Sequence, residues 1–377
     1  MRYTRAVKNS AWPSEHSERT DPLTGCRVHQ LTNSAAISHP TYFLQRSFTP
    51  DNRTLIFTSY RDANQPQLFE LDFPHGQIRQ LTDGAPIHPF SPAILPGGDQ
   101  LIFVRGGSIW TLNRDTLAER LVVEFDGGQL GECSFTSDGQ WLTAAIKLKG
   151  EPGLVCGRTD GTDWRFIPFP RTIIHPQFHP LEPDWIEFAA DPAPRMHRVR
   201  RDGSALECLY DHTNDEFVVH ETFLGDTGDL VFTVWPHALK RMNGTTRAIN
   251  TIAEFNAWHI TPNRAGTQVL CDTNHPDRGL FLIDVATGAL KHLCLSEASN
   301  QGSQWRTSRY ALAADFAAAR SEASTNLSWM EGVDTVYGPQ WTHPHPSFSP
   351  DETLVAFASD RTGTTQVYAA DIRAPQS

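Results

Sequence analysis

The stretch richest in chemistry is Gln340-Trp341-Thr342-His343-Pro344-His345-Pro346. Two histidines one residue apart fall on the same side of an extended strand, because strand side chains alternate faces. Pro344 and Pro346 exclude a helix and bias the residues between them to extended backbone. The spacing therefore predicts a proline-flanked, edge-like strand that presents two imidazoles together. Such a pair is either half of a metal site or two solvated histidines at a strand start. Gln340 adds an amide oxygen to the pair only if the chain bends before the strand. His-x-His is a short motif, so the elements that position it must decide between the two readings.

Those elements are short strands. The chain has 377 residues, with 26 Gly and 26 Pro as punctuation and 21 Phe and 10 Trp to fill a core, a composition that points to an all-β protein. A pattern recurs: a short strand ending in a Ser-Pro-Asp or Ser-Asp-Gly turn, an apolar strand, a loop and another apolar strand. It appears at Ser47-Phe48-Thr49-Pro50-Asp51, at Ser134-Phe135-Thr136-Ser137-Asp138-Gly139 and at Ser347-Phe348-Ser349-Pro350-Asp351, with weaker copies near Pro89, Pro176, Glu221 and Ile260. A spacing of roughly 40 residues lies in the propeller range. The starts number seven, and the last copy supplies only three strands, up to Ile372. The lone alternating strand at residues 26–32 would be its fourth. The expected architecture is a seven-bladed β-propeller closed by an N-terminal strand in the last blade, which leaves no open sheet edge. Residues 1–24 read as a polar N-terminal arm and residues 25–377 as the single propeller. An excursion at 296–339, rich in Ser, Ala, Asn and Gln and with a helix-compatible stretch at residues 310–320, interrupts the period just before the His-x-His stretch.

Within this frame several repeats begin with a histidine just before the strand expected to line the central channel. His39, His175, His220 and His259 stand at that phase, as do His343 and His345. One such residue is most simply a hydrogen-bonded channel histidine. Recurrence at one phase in five blades describes a ring of imidazoles around one point.

A formal charge of −11 with no Lys/Arg run argues against a nucleic-acid or anionic-membrane partner. Six widely spaced cysteines without a Cys-x-x-Cys pair, several of them inside apolar runs, read as buried free thiols in a reducing compartment. Residues 1–21 have no apolar signal-peptide core and no stretch reaches the length of a membrane span, so the cytoplasm is expected. There is no Gly-x-Ser-x-Gly and no cysteine framed for nucleophilic use.

Gln340-Trp341-Thr342-His343-Pro344-His345-Pro346-Ser347-Phe348 resembles the Gln-x-Thr-His-Pro-His-Pro-Ser-Phe motif of the oligogalacturonate lyases, cytoplasmic seven-bladed enzymes of pectin breakdown. The resemblance continues at His39-Pro40-Thr41-Tyr42-Phe43-Leu44-Gln45-Arg46-Ser47-Phe48, at Arg195-Met196 ahead of Asp202-Gly203, and at His220-Glu221. It implies a divalent metal, usually manganese, held by His259, Gln340, His343 and His345. It implies His220 as the base and Arg195 as a substrate-clamping arginine. The substrate implied is a small acidic oligosaccharide, cleaved by β-elimination. His39, Tyr42, Gln45, Arg46 and His175 would line the same well as substrate-binding residues, although Tyr42 could equally be a packed channel aromatic. Two other readings stand beside this one. Ser59–Phe69 and Ser359–Tyr368 also resemble TolB-like scaffolds that bind protein partners, and a lyase of this architecture could act on another uronate.

Overall fold

The computed structural model describes residues 7–213, 215–300 and 340–373. Regular structure among them is strand, with short 3-10 turns at Gly225–Thr227 and Gln340–Thr342. The strands form seven antiparallel sheets of four or five strands each. The innermost strands include Ser38–Pro40, Ala93–Ile94, Gly128–Phe135, Thr172–Phe178, Val218–Phe223, Ile260–Pro262 and Ser347–Phe348. They fall where the sequence repeats begin.

The ring closes as the strand arithmetic requires. Arg27–Gln30 pairs with Gln366–Asp371 in the register Val28↔Ala370, His29↔Ala369 and Gln30↔Tyr368. The polar segment ahead of it is also laced into the rim. Ser17–Thr20 pairs outside Arg27–Gln30 in the last blade, while Ala11–Trp12 pairs with Ile78–Gln80 in the first.

Each blade is covered on both faces by its neighbours, which is why the middle strands read as continuous apolar runs rather than alternating ones. Leu55, Ile56 and Phe57 are consecutive and all fully buried. Leu55 and Phe57 pack with Leu354, Ala356 and Val367 of the last blade. Ile56 points the other way, onto Leu101 and Phe103 of the second blade. The recurrent Ser/Thr-x-Asp turn has a local cause too. The hydroxyls of Thr49, Thr136 and Ser349 donate to Asp51, Asp138 and Asp351 two residues on, at 2.6, 2.5 and 2.7 Å. The same carboxylates accept the backbone N–H groups of Arg53, Gln140 and Thr353. The residue after each Asp is left-handed, and in the third blade Gly139 (φ 69°) fills that position.

The described cysteines are all free, and five of the six are buried; Cys208 is exposed. Among the described residues no helix is long and apolar enough to cross a membrane. Residues 301–339 of the expected excursion, with the helix-compatible stretch, lie outside the described residues.

Candidate metal centre

The inner strands all run in one direction along the channel, so their first residues gather at one end. Three of the histidines do not precede their strands, as expected from sequence: His39 sits inside Ser38–Pro40, and His175 and His220 sit inside theirs at breaks in register. His175 lies in the shift between Ile174 and Gln177, and His220 in the shift between Val219 and Thr222. Both have φ of 55°. A bulge with one residue in the left-handed region re-aims that residue's side chain out of the strand's alternation. Here it turns both imidazoles into the channel.

The His-x-His stretch differs from expectation in a related way. Residues 343–346 are not strand, and the strand is confined to Ser347–Phe348. His343 and His345 therefore do not converge by strand alternation. They follow the 3-10 turn Gln340–Thr342, and His345 has a φ of 45°. The turn supplies the bend that Gln340 needs to join them; the Gln340 side chain itself lies outside the described part of the structure.

His259, just ahead of Ile260–Pro262 in the neighbouring blade, completes the cluster. One ligand atom from each of His259, His343 and His345 lies within 4.8 Å of the others. The His259 and His345 ring centroids are 4.1 Å apart. His259 is held by Asp272, which accepts its backbone N–H at 2.7 Å and faces its Nδ1 at 2.8 Å. With the Nδ1 proton donated to the carboxylate, the Nε2 lone pair is left for the cluster. Burial, then the neighbouring imidazoles, pushes His259 and His345 well below the usual histidine value, so both are neutral at pH 7. Nε2 of His345 is buried with no hydrogen-bond partner among the described residues. A buried set of neutral nitrogen donors, one with an unspent lone pair, fits a divalent transition ion.

His220 packs against this cluster, its ring 4.5 Å from His259 and 5.9 Å from His175. Burial, then His259 and His175, holds it well below its usual value. From His175 a buried chain leads away. Its Nε2 meets the Tyr42 hydroxyl at 2.8 Å, and its Nδ1 faces Glu221 at 3.6 Å. Arg195 donates to Glu221 through Nε at 2.7 Å and Nη2 at 3.4 Å, and to Asp191 through Nη1. Burial alone would raise Glu221, but the Arg195 guanidinium and His175 more than offset it and hold the carboxyl well below the usual range. The two-pronged contact expected between Arg195 and a substrate is thus made to Glu221 inside the protein. The physical reason is charge: a buried guanidinium needs carboxylates beside it.

His39 belongs to the cluster's surroundings. It is fully buried, stacked on Phe90 at 4.9 Å and pushed down to about 4 by burial. Gln45 and Arg46 do not join it. They line a cavity of about 250 Å³ with Phe178, Phe223, Pro262 and Arg264, residues at the far ends of the inner strands. The reason is a turn, in which the Gln45 N–H donates to the Tyr42 carbonyl and carries the chain across the channel. Phe43 sits in that crossing, 5.1–5.6 Å from the His175, His220 and His259 rings. It separates the histidine end from the Arg46 end.

Sequence reasoning missed Asp272 and Phe43 as parts of the site. Phe43 carried no signal beyond lying beside Tyr42. Asp272 could have been found by pairing: Ile260 lies opposite Cys271, so the residues flanking that pair, His259 and Asp272, must also meet.

The chain is 23% identical to an oligogalacturonate lyase of Dickeya dadantii (strain 3937), covering 93% of this chain and 95% of that protein. It is also 23% identical to an oligogalacturonide lyase of Pectobacterium atrosepticum, covering 97% of this chain and 98% of that one. Among solved structures, an oligogalacturonate lyase in complex with manganese superposes with a TM-score of 0.81 at 20% identity, over 97% of this chain and 98% of that one. No model of a known protein family matches the chain. Along nearly its full length the chain is thus similar to two proteins named as oligogalacturonate or oligogalacturonide lyases, and it shares the fold of a solved oligogalacturonate lyase.

Proposed function

We propose that the protein is a metal-dependent polysaccharide lyase that cleaves short oligogalacturonates by β-elimination and releases a 4-deoxy-5-keto-uronate. The observation that carries this reading is the convergence of His259, His343 and His345 from two blades, with a fourth neutral imidazole, His220, packed against them. In this proposal His259, His343 and His345, with Gln340 as the fourth donor, hold Mn²⁺ or another divalent transition ion. When bound, such an ion neutralises the uronate C6 carboxylate and so makes the adjacent C5 proton more acidic.

The chain's own residues then divide the remaining work. His220 takes the C5 proton. Its depressed value keeps it unprotonated at neutral pH, and an anionic substrate brought beside it raises its basicity. As the proton leaves, the C4–O bond breaks, its electron pair departs with the oxygen, a C4=C5 double bond forms, and the leaving oxygen takes up a proton. Tyr42, His175 and His39 line the well and bind the sugar. Arg195 serves as a positioning residue, because its guanidinium fixes Glu221, Glu221 faces His175, and His175 holds the Tyr42 hydroxyl. Gln45 and Arg46 take no part.

The test is an elimination assay on saturated and unsaturated digalacturonate and trigalacturonate, after metal stripping and after adding back manganese. Metal-dependent appearance of unsaturated or 4-deoxy-5-keto product is expected. Parallel wells with other uronate oligomers report any shift in sugar preference. No elimination on any uronate with manganese present would overturn the proposal.

A further inference from the structure

A second group of metal-ligating side chains lies far from the channel, on the rim where the ring closes. Its basis is strand pairing. Glu18 and His29 are directly opposite in the pair formed by Ser17–Thr20 and Arg27–Gln30, so their side chains share a face. His16 lies two residues before Glu18, just ahead of that strand. The three donors do converge. Nε2 of His16 is 3.0 Å from Nδ1 of His29, and Oε2 of Glu18 is 3.7 Å from the same nitrogen. One ligand atom from each of the three lies within 4.8 Å of the others.

The surroundings orient the set. The other Glu18 oxygen, Oε1, faces Arg27 Nε at 3.5 Å, which leaves Oε2 turned toward His29. His29 is 6% exposed and its ring packs edge-on against Phe73 at 5.3 Å, so its orientation is fixed. His75 comes from the first blade, in the turn before Ile78–Gln80, and its ring stands 4.5 Å from His16. The three donors therefore come from the outermost strands of the last blade and the residue just ahead of them, with a turn of the first blade packed beside them.

We propose that His16, Glu18 and His29, with His75 beside them, form a zinc site that pins together the two outer strands by which the last blade closes the ring. Two imidazole nitrogens and one carboxylate oxygen, with a further imidazole or water, are a donor set suited to tetrahedral zinc rather than to magnesium or calcium. Neither the elimination reaction nor the channel cluster enters this argument. An ion that binds only the folded ring stabilises it by mass action, and this one would act at the seam.

The experiment uses the full chain carrying His343→Ala and His345→Ala, so that the channel cluster cannot contribute. After chelator treatment the protein is titrated with zinc chloride, with bound metal counted by elemental analysis and thermal unfolding followed in parallel. One zinc per chain and a zinc-dependent rise in the unfolding midpoint are expected. Cobalt in place of zinc should give the intense visible absorption of a tetrahedral site. Adding His16→Ala and Glu18→Gln, both on side chains with access to solvent, should abolish the binding and the midpoint shift while circular dichroism stays that of the parent. No zinc uptake by the channel-cluster variant, or uptake that survives His16→Ala with Glu18→Gln, overturns the proposal.

Discussion

Replacing Asp272 by Asn tests whether the channel cluster is tuned from behind. The carboxylate accepts the His259 backbone N–H at 2.7 Å and faces its Nδ1 at 2.8 Å, and the His345 backbone N–H also points to it. An amide of the same shape has one acceptor and one donor. If its oxygen keeps the backbone N–H, its NH₂ confronts Nδ1 and forces the imidazole proton onto Nε2, the atom needed by the ion. If the amide flips, two donors face each other at a residue with no solvent exposure. Outer contacts of this kind are worth about 10- to 100-fold in metal affinity, or about 1.4–2.7 kcal/mol. An unmade buried hydrogen bond costs about 1–3 kcal/mol, a similar amount. The expected result is therefore a manganese dissociation constant raised by about one to two decades, measured by competition with a fluorescent chelator. Turnover at saturating manganese should stay close to the parent's, because the imidazoles of His343, His345 and His220 are all still present. An Asp272→Asn protein with parental manganese affinity would refute the argument. So would one that loses turnover at saturating metal with its affinity unchanged.

Other outcomes follow from the same geometry. His220→Ala should keep its manganese and lose about two to four orders of magnitude in turnover, read from initial rates beside elemental analysis; undiminished turnover would remove His220 as the base. Arg195→Lys should lower stability to denaturant by roughly 1–3 kcal/mol along with activity, because an ammonium cannot serve Asp191 and Glu221 together; a change in KM alone would mean that the guanidinium acts on substrate instead. Glu187 is buried, and neither carboxyl oxygen has a hydrogen-bond partner among the described residues. Burial, then Glu221, raises it well above 4.5. A raised acid contributes stability that is fully present below its unfolded value and is lost as pH climbs through its folded one. Glu187→Gln should thus match the parent near pH 4 and exceed it at pH 8, the gap widening by about 1.4 kcal/mol per pH unit between the two values. Equal urea midpoints at both pH values would refute this.

The propeller was legible because its physics is periodic. Turn residues, apolar runs covered on both faces and the missing fourth strand each repeat or complete a repeat, and the pairing of Val28 with Ala370 follows from counting. The histidine phase was legible for the same reason. What failed was local and aperiodic. Nothing in the spacing of Tyr42, Gln45 and Arg46 announces that the chain crosses the channel between them and sends Arg46 to the Asp226 and Arg264 end. The left-handed φ of His345 is invisible in a His-Pro-His-Pro string that reads as extended. Arg195 looked free to clamp a ligand because its partners, Asp191 and Glu221, lie on two different strands, Trp185–Asp191 and Val218–Phe223, that only the fold brings together.

The pairing of Val28 with Ala370 also bears on how the chain comes to be made. On the ribosome, Arg27–Gln30 emerges before nearly all the strands of the six intervening blades and its partner Gln366–Asp371 after them, so the early strand waits while those blades are made. Until then the edge facing away from Ser17–Thr20 is open, the kind that pairs with foreign chains. The blades between can pack in order as they appear, each on the one before. The channel cluster cannot follow that order, because His343 and His345 arrive with the final blade. Closure of the ring and completion of the histidine cluster are thus one late event, and a nascent chain stalled short of the last blade would have neither.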